Sequence, residues 1–165
     1  MAKQYLYRAD TRAPNEIFNS GFSPRYAGGI QIQAGGQMIG GVSTTRNLKT
    51  AIKYAEAYGG HLYLLHADGI DLLQKEIESK NTFAHSVISA LGYKKHNIGT
   101  INNLISQAEI ACERVPSIDV LCAREVITIN GVNTLGGPLV VNDRVPDDII
   151  NHHARSVEWA ILALA

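Results

Sequence analysis

Apolar and polar residues alternate over Gln4–Arg8, with two tyrosines in the run, so the chain opens on a predicted strand. Pro14 then takes a first helical position, and Gly21 closes a short helix after Phe18, Asn19 and Ser20. From Phe22 to Gly41 the pattern is broken by Gly28, Gly29, Gly35, Gly36, Gly40 and Gly41, which reads as a long loop with one weak strand. The clearest helical period runs over Thr45–Tyr58. Leu48, Ala51, Ile52, Ala55 and Tyr58 fall on one face there, and Gly59-Gly60 stops it. His61–Ala67 reads as a strand, with Leu62, Leu64 and Leu65 supplying core. Helices are predicted over Leu72–Ser79 and Thr82–Leu91, the second ended by Gly92, with a polar loop over Lys94–Ser106. Strands follow at Ala108–Cys112 and Val120–Ile129. Asn130-Gly131 signals a hairpin turn, and Leu139–Val141 is the returning strand. Asp147–Ala165 reads as one C-terminal helix with Asp147 and Asp148 at its positive end. The expectation is a single α+β domain over residues 1–165.

Composition narrows the field. The 165 residues are 45% hydrophobic and 18% charged, the balance of a globular chain with one core. Lys+Arg and Asp+Glu are both 15, so no global basic field attracts nucleic acid by counterion release, and a nucleic-acid partner is disfavoured. No apolar run approaches the ~20 residues of a membrane-spanning helix, and the N-terminus shows no cleavable signal pattern. Cys112 and Cys122 lie in apolar strand segments and read as buried thiols, without the partners of a metal site. His61 and His66 read as structural, and His152-His153 as a solvated pair rather than a ligand set.

Three short motifs remain. Arg8 stands in Tyr7-Arg8-Ala9-Asp10-Thr11-Arg12-Ala13-Pro14, Ser43-Thr44-Thr45 follows Gly41-Val42, and Gln107-Ala108-Glu109 comes last. Each alone has a bland reading. Arg8 pairs with Asp10 at a strand end. Ser43 or, more naturally, Thr45 caps the following helix. Glu109 sits at an exposed strand end.

Together, their order and spacing resemble the Arg–Ser–Glu class of mono-ADP-ribosyltransferases, the group of the cholera and pertussis toxin A subunits. Tyr7–Arg12 is similar to a nearly identical run in cholera toxin. Val115-Pro116-Ser117-Ile118 after Gln107-Ala108-Glu109 is similar to the Ile-Pro that follows the acidic motif in both toxins. The resemblance covers roughly Tyr5–Gly21 and Gly41–Ile129, and Gly131–Ala165 has no match.

The resemblance implies an ADP-ribosyltransferase-type α+β domain, with split mixed or antiparallel sheets and flanking helices around an NAD cleft. NAD+ is then the co-substrate, and no metal is required. Breaking the nicotinamide–ribose bond develops oxocarbenium character, as in glycoside hydrolysis. Glu109 is the implied carboxylate beside the ribose, and Ser43 braces it. Arg8 anchors NAD through its fork of donors, Asp10 supports that anchor, and Arg12 is a second phosphate candidate. Thr44 and Thr45 complete the Ser-Thr-Thr wall. Tyr54 and Tyr58 line the nicotinamide pocket, with core packing as the alternative. Gln107 stands where arginine-specific members carry Glu, which argues against an arginine acceptor. Thr100, Asn102 and Asn103, in the polar loop before it, are implied to meet the acceptor.

The expected function is therefore a toxin or effector that moves ADP-ribose from NAD+ to a protein side chain other than arginine. Its partner is a target protein in a host or competitor cell, with an immunity protein or a carrier domain as further partners. It is expected to be secreted or injected by a specialised route and to act in the target cytosol. The alternatives are an NAD glycohydrolase, a nucleic-acid ADP-ribosyltransferase, and a non-catalytic binding module.

Overall fold

The computed structural model describes residues 2–24, 31–32, 38–39, 41–71 and 109–164, with backbone alone at 31–32, 38–39 and 109. The helices expected at Leu72–Ser79 and Thr82–Leu91, the loop at Lys94–Ser106 and most of the glycine-rich stretch lie outside these residues.

Nine strands and four helices are described: β1 (Gln4–Asp10), α1 (Pro14–Ser20), β2 (Gln31–Ile32), β3 (Met38–Ile39), β4 (Val42–Thr45), α2 (Leu48–Tyr58), β5 (His61–Ala67), β6 (Ile70–Asp71), β7 (Glu109–Cys112), β8 (Val120–Ile129), β9 (Val132–Val141), α3 (Asp147–His153) and α4 (Val157–Leu164). Seven strands form one sheet in the order β6-β7-β4-β1-β5-β8-β9, and β2 pairs with β3 in a ribbon. Every pairing described is antiparallel. Of the mixed or antiparallel arrangement that the resemblance implied, the described residues show the antiparallel one.

Both faces of the sheet are covered, which explains the run of apolar residues in β5. Successive side chains point to opposite faces. Tyr63 and Leu65 join Leu6, Ile17, Phe18, Phe22, Val42, Ile110, Val115 and Val120 on the α1 side. Leu62 and Leu64 join Tyr7, Ala51, Ala55, Leu121, Leu135, Trp159 and Leu162 on the side of α2 and α4. Each large apolar side chain buried this way stabilises the fold by about 1.5–3 kcal/mol. Cys112 belongs to the first cluster and Cys122 to the second, so the two thiols are divided by the sheet and remain free. Burial pushes them up to about 11 and about 12, respectively.

Three expectations are corrected. The helix predicted from Thr45 starts at Leu48, because Val42–Thr45 is taken up by pairing with β7. Asn47 caps it, its side chain accepting from the amides of Lys49 and Thr50 at 3.0 and 3.3 Å. The returning strand is Val132–Val141 rather than Leu139–Val141. Gly136, Gly137 and Pro138 hide its pattern, and they are tolerated because β9 is an edge strand with a register shift opposite Arg124/Val126. The predicted turn is present, with Asn130 and Gly131 at φ 51° and 80°. Lastly, the C-terminal helix is two helices. The chain turns at 154–156, and the Ser156 hydroxyl accepts from the Trp159 amide at 3.1 Å. The break lets Trp159 and Leu162 reach the sheet.

Candidate active site

Arg8, Ser43 and Glu109 come from distant parts of the sequence, yet they lie on neighbouring strands. β7, β4 and β1 are adjacent in the sheet. Tyr7 of β1 pairs with Thr45 of β4, and Thr45 pairs on its other side with Glu109. Ser43 pairs with Ala111, two positions along from Glu109 on the same strand. The Arg8 guanidinium crosses from β1 and donates to the Ser43 carbonyl at 2.7 Å.

Asp10 organises the arginines. Residues 8 and 10 share a face of β1, since strand side chains repeat every second residue. The Nε and a terminal nitrogen of Arg8 donate to Asp10 Oδ2 at 3.3 and 3.2 Å. Arg12 reaches back from the turn after β1. Its amide and its Nε donate to Oδ1, both at 2.9 Å, and a terminal nitrogen donates to Oδ2 at 2.8 Å. Burial opposes ionisation of Asp10, but the Arg12 hydrogen bonds and the charges of Arg8 and Arg12 prevail and hold its carboxyl below the usual carboxylate value. Arg12 is pushed up in turn, chiefly by its hydrogen bond to Asp10. The ion pair that the sequence offered as the bland reading of Arg8 is therefore present, together with the link to Ser43.

Behind the arginines stand two aromatic residues that sequence reasoning missed. Tyr63 donates from its hydroxyl to the Arg12 carbonyl, which fixes the turn. Burial, then the Asp10 charge, raises the Tyr63 phenol well above its ordinary value. Phe22 lies beneath both guanidinium groups. Neither carries a local signal: each meets the arginines only through the folded sheet.

The Ser-Thr-Thr segment divides its tasks. Ser43 is exposed, while Thr44 and Thr45 are buried. The Thr44 hydroxyl donates to the Ile110 carbonyl at 2.7 Å, tying β4 to β7 beside the position of Glu109. The Thr45 hydroxyl accepts from the Asn47 amide at 3.0 Å, at the entry to α2, so Asn47 takes the cap assigned to Thr45. Tyr54 and Tyr58 are 45% and 74% exposed, which overturns core packing as their alternative. Their rings stack at 6.5 Å, offset by one helical turn and tilted by 11°. Gln107, Thr100, Asn102 and Asn103 lie outside the described residues.

The His152-His153 pair also differs from expectation. His152 is exposed, but His153 is buried, its Nδ1 2.8 Å from the Tyr5 hydroxyl and its ring 4.7 Å from that of His66. The last turn of α3 points inward against β1 and β5, a contact that a dipeptide cannot announce. Among the described residues, no group of three or more His, Cys, Asp or Glu is placed to hold a metal ion. None of the described helices is long and apolar enough to cross a membrane.

No protein-family model matches the sequence, and a search of curated proteins returns no match. Solved structures do match. The Scabin toxin of Streptomyces scabies, in complex with NADH, is 20% identical, with a TM-score of 0.57 over 87% of this chain and 76% of that one. A single-site variant of Scabin gives 21% identity and a TM-score of 0.58 over 87% and 78%. A guanine-specific ADP-ribosyltransferase gives 18% identity and a TM-score of 0.58 over 88% and 80%. The chain thus has the fold of solved ADP-ribosyltransferases, and the fold expected from the motifs is the fold observed.

Proposed function

We propose that the chain is an NAD-dependent mono-ADP-ribosyltransferase of the Arg–Ser–Glu type, a toxin or effector that acts inside a target cell. The observation that carries this reading is the Arg8 bridge from β1 to Ser43 of β4 at 2.7 Å, with β4 paired on its other side to the strand that begins at Glu109. The shared fold and the NADH complex of one such structure add to it. In this reading residues 1–165 form one catalytic unit, with 131–165 completing the sheet and its helical cover.

The chemistry follows from the residues. The paired guanidinium groups of Arg8 and Arg12 are suited to a diphosphate, because planar donor forks match phosphate oxygens and their charge survives at any physiological pH. Asp10 carries one negative charge against their two positive ones, so the trio keeps a net positive charge toward an anion. Tyr54 and Tyr58 offer an exposed stacked pair for the nicotinamide side. Thr44 holds β4 on β7, so that Ser43 braces the Glu109 position. Nicotinamide leaves C1′ of the ribose with the bonding electron pair. The Glu109 carboxylate stabilises the cationic sugar that remains, and the acceptor attacks C1′ and then releases its proton. Holding the dinucleotide in place lowers the barrier further by fixing the geometry of departure.

Gln107 supports an uncharged acceptor, because an amide orients a partner by hydrogen bonds but has no charge to pair with a guanidinium. A protein side chain other than arginine is the first reading. Similarity to a guanine-specific ADP-ribosyltransferase supports a second, transfer to a guanine base.

The test is incubation of the purified chain with NAD+ labelled on its adenylate, alone, with bacterial and eukaryotic lysates, and with guanine-containing DNA. Glu109→Ala is expected to lower nicotinamide release by about 10²–10³-fold, a typical loss for a group acting on transition-state charge. Near-wild-type turnover in that variant would remove Glu109 from its role, and no NAD+ consumption by the wild type would remove the enzyme reading. Labelled protein favours the first acceptor and labelled DNA the second. Gln107→Glu should impair transfer more than hydrolysis.

A further inference from the structure

We propose that Phe22 is a positioning residue, an aromatic shelf that orients Arg8 and Arg12 for the diphosphate of NAD+. The proposal rests on the function inferred above, while the shelf itself is visible without it. The guanidinium carbon of Arg8 lies 5.2 Å from the centre of the Phe22 ring and that of Arg12 5.6 Å, both within the roughly 6 Å reach of a cation–π contact. One ring therefore serves two cations that are also joined through Asp10.

The shelf is itself anchored. Phe22 is fully buried. Its amide donates to the Val115 carbonyl at 2.8 Å, and the Val115 amide donates back to the Phe22 carbonyl at 2.9 Å. The Tyr63 ring meets it edge-on, 5.2 Å between centres at 86°. Gly21 permits the approach: its φ is +70°, and a Cβ there would lie 2.2 Å from the Val115 carbonyl oxygen.

A carboxylate and a ring hold an arginine differently. Asp10 takes N–H donors and cancels charge, whereas the negative face of an aromatic ring attracts the cation without taking a donor. Beside Asp10 and the Ser43 carbonyl, which take N–H donors, the ring adds orientation to both arginines and leaves the net charge of the trio unchanged. Orientation fixed before binding reduces the ordering cost that the ligand meets.

Fluorinated phenylalanines carrying one, two and three fluorines, placed singly at position 22, test this. They withdraw electron density from the ring face and nearly keep its shape. Two quantities are read: solvent exchange of the Arg8 and Arg12 Nε–H protons in the protein without NAD+, and the Kd for NAD+ beside kcat for nicotinamide release. Both the exchange rate and Kd should rise in steps along the series, by about fivefold at its end, with kcat unchanged. The same series at Phe18, over whose ring no guanidinium lies among the described residues, should leave both flat. Flat exchange and flat Kd at position 22 would overturn the proposal. Altered exchange with a flat Kd would overturn its link to NAD+. If the wild type binds no NAD+, the function reading falls, and the exchange series alone decides the shelf.

Discussion

Replacing Asp10 by asparagine keeps the shape of the side chain and removes its charge. Its side chain is 7% exposed and accepts two hydrogen bonds from Arg8 and three from Arg12. In the asparagine, Oδ1 keeps the bonds from the Arg12 amide and Nε. The new Nδ2 turns its hydrogens toward Arg8 Nε, an Arg8 terminal nitrogen and an Arg12 terminal nitrogen, so three attractions become donor–donor contacts. Breaking a fully buried ion pair by removing one partner costs about 3–5 kcal/mol. Arg8 and Arg12 are 25% and 40% exposed and recover part of their hydration, which lowers the expected loss to about 2–3 kcal/mol. For a chain of this size that is a fall in Tm of about 5–10 °C. Urea unfolding at pH 7, followed through the single tryptophan, Trp159, reads it directly. The sign of the pH dependence is fixed as well. The folded Asp10 has a carboxyl held below its unfolded value of 3.8, so its contribution is complete above that value and is lost as pH falls through the folded one. The gap between wild type and variant should therefore stay constant from pH 7 to pH 5 and close below about pH 4. A loss under about 0.5 kcal/mol at pH 7, or a gap that persists into acid, would refute the view that Asp10 is the organiser of the two arginines.

Acid should also loosen the other end of the molecule. Burial holds His66 and His153 below the usual imidazole value, helped at both by Lys3, His152 and, at His153, by His66, while Asp119 works the other way at His66. Because the folded values lie below 6.5, the unfolded chain binds protons first as pH falls. Stability is then complete above that value and declines below it. Urea midpoints at pH 7.5 and 5.0 should fall toward acid, and Tyr5→Phe, which removes the 2.8 Å contact to His153, should cost about 1 kcal/mol at pH 7.5. Equal midpoints at the two pH values would contradict this. Gly21→Ala should be far worse than Gly59→Ala. Both glycines have positive φ and cost about 1–3 kcal/mol of strain, but a Cβ at Gly21 would also strike the Val115 carbonyl, whereas one at Gly59 meets nothing within 4 Å. Thermal melts of equal depth would remove the clash argument.

The Arg8–Asp10 pair was readable because it is local: the two residues share a strand face by the period of two. The bonds of Arg12 to the same carboxylate were not read, since they depend on how the chain turns after β1. The Ser43 carbonyl that receives Arg8 could not be read, since every residue carries such a group and only the β1–β4 pairing selects this one. Phe22 was legible as an aromatic after a helix-ending glycine. Its task was not, because the contact passes through Val115 and Tyr63, far along the chain.

The same division holds for the fold. Sequence by itself determined α1 between Pro14 and Gly21, the strand at His61–Ala67, the long strand at Val120–Ile129 and its Asn130-Gly131 turn. Each depends on backbone preference or side-chain period within a few residues. Tertiary structure decided where α2 begins, how far β9 runs, where the last helix breaks, and that His153 is buried. At those points competing local preferences are nearly balanced. The pairing of β4 with β7, the support of β8 and the space left over the sheet tip the balance, because hydrogen bonds and apolar burial with distant partners exceed the few tenths of a kcal/mol that separate one local conformation from another.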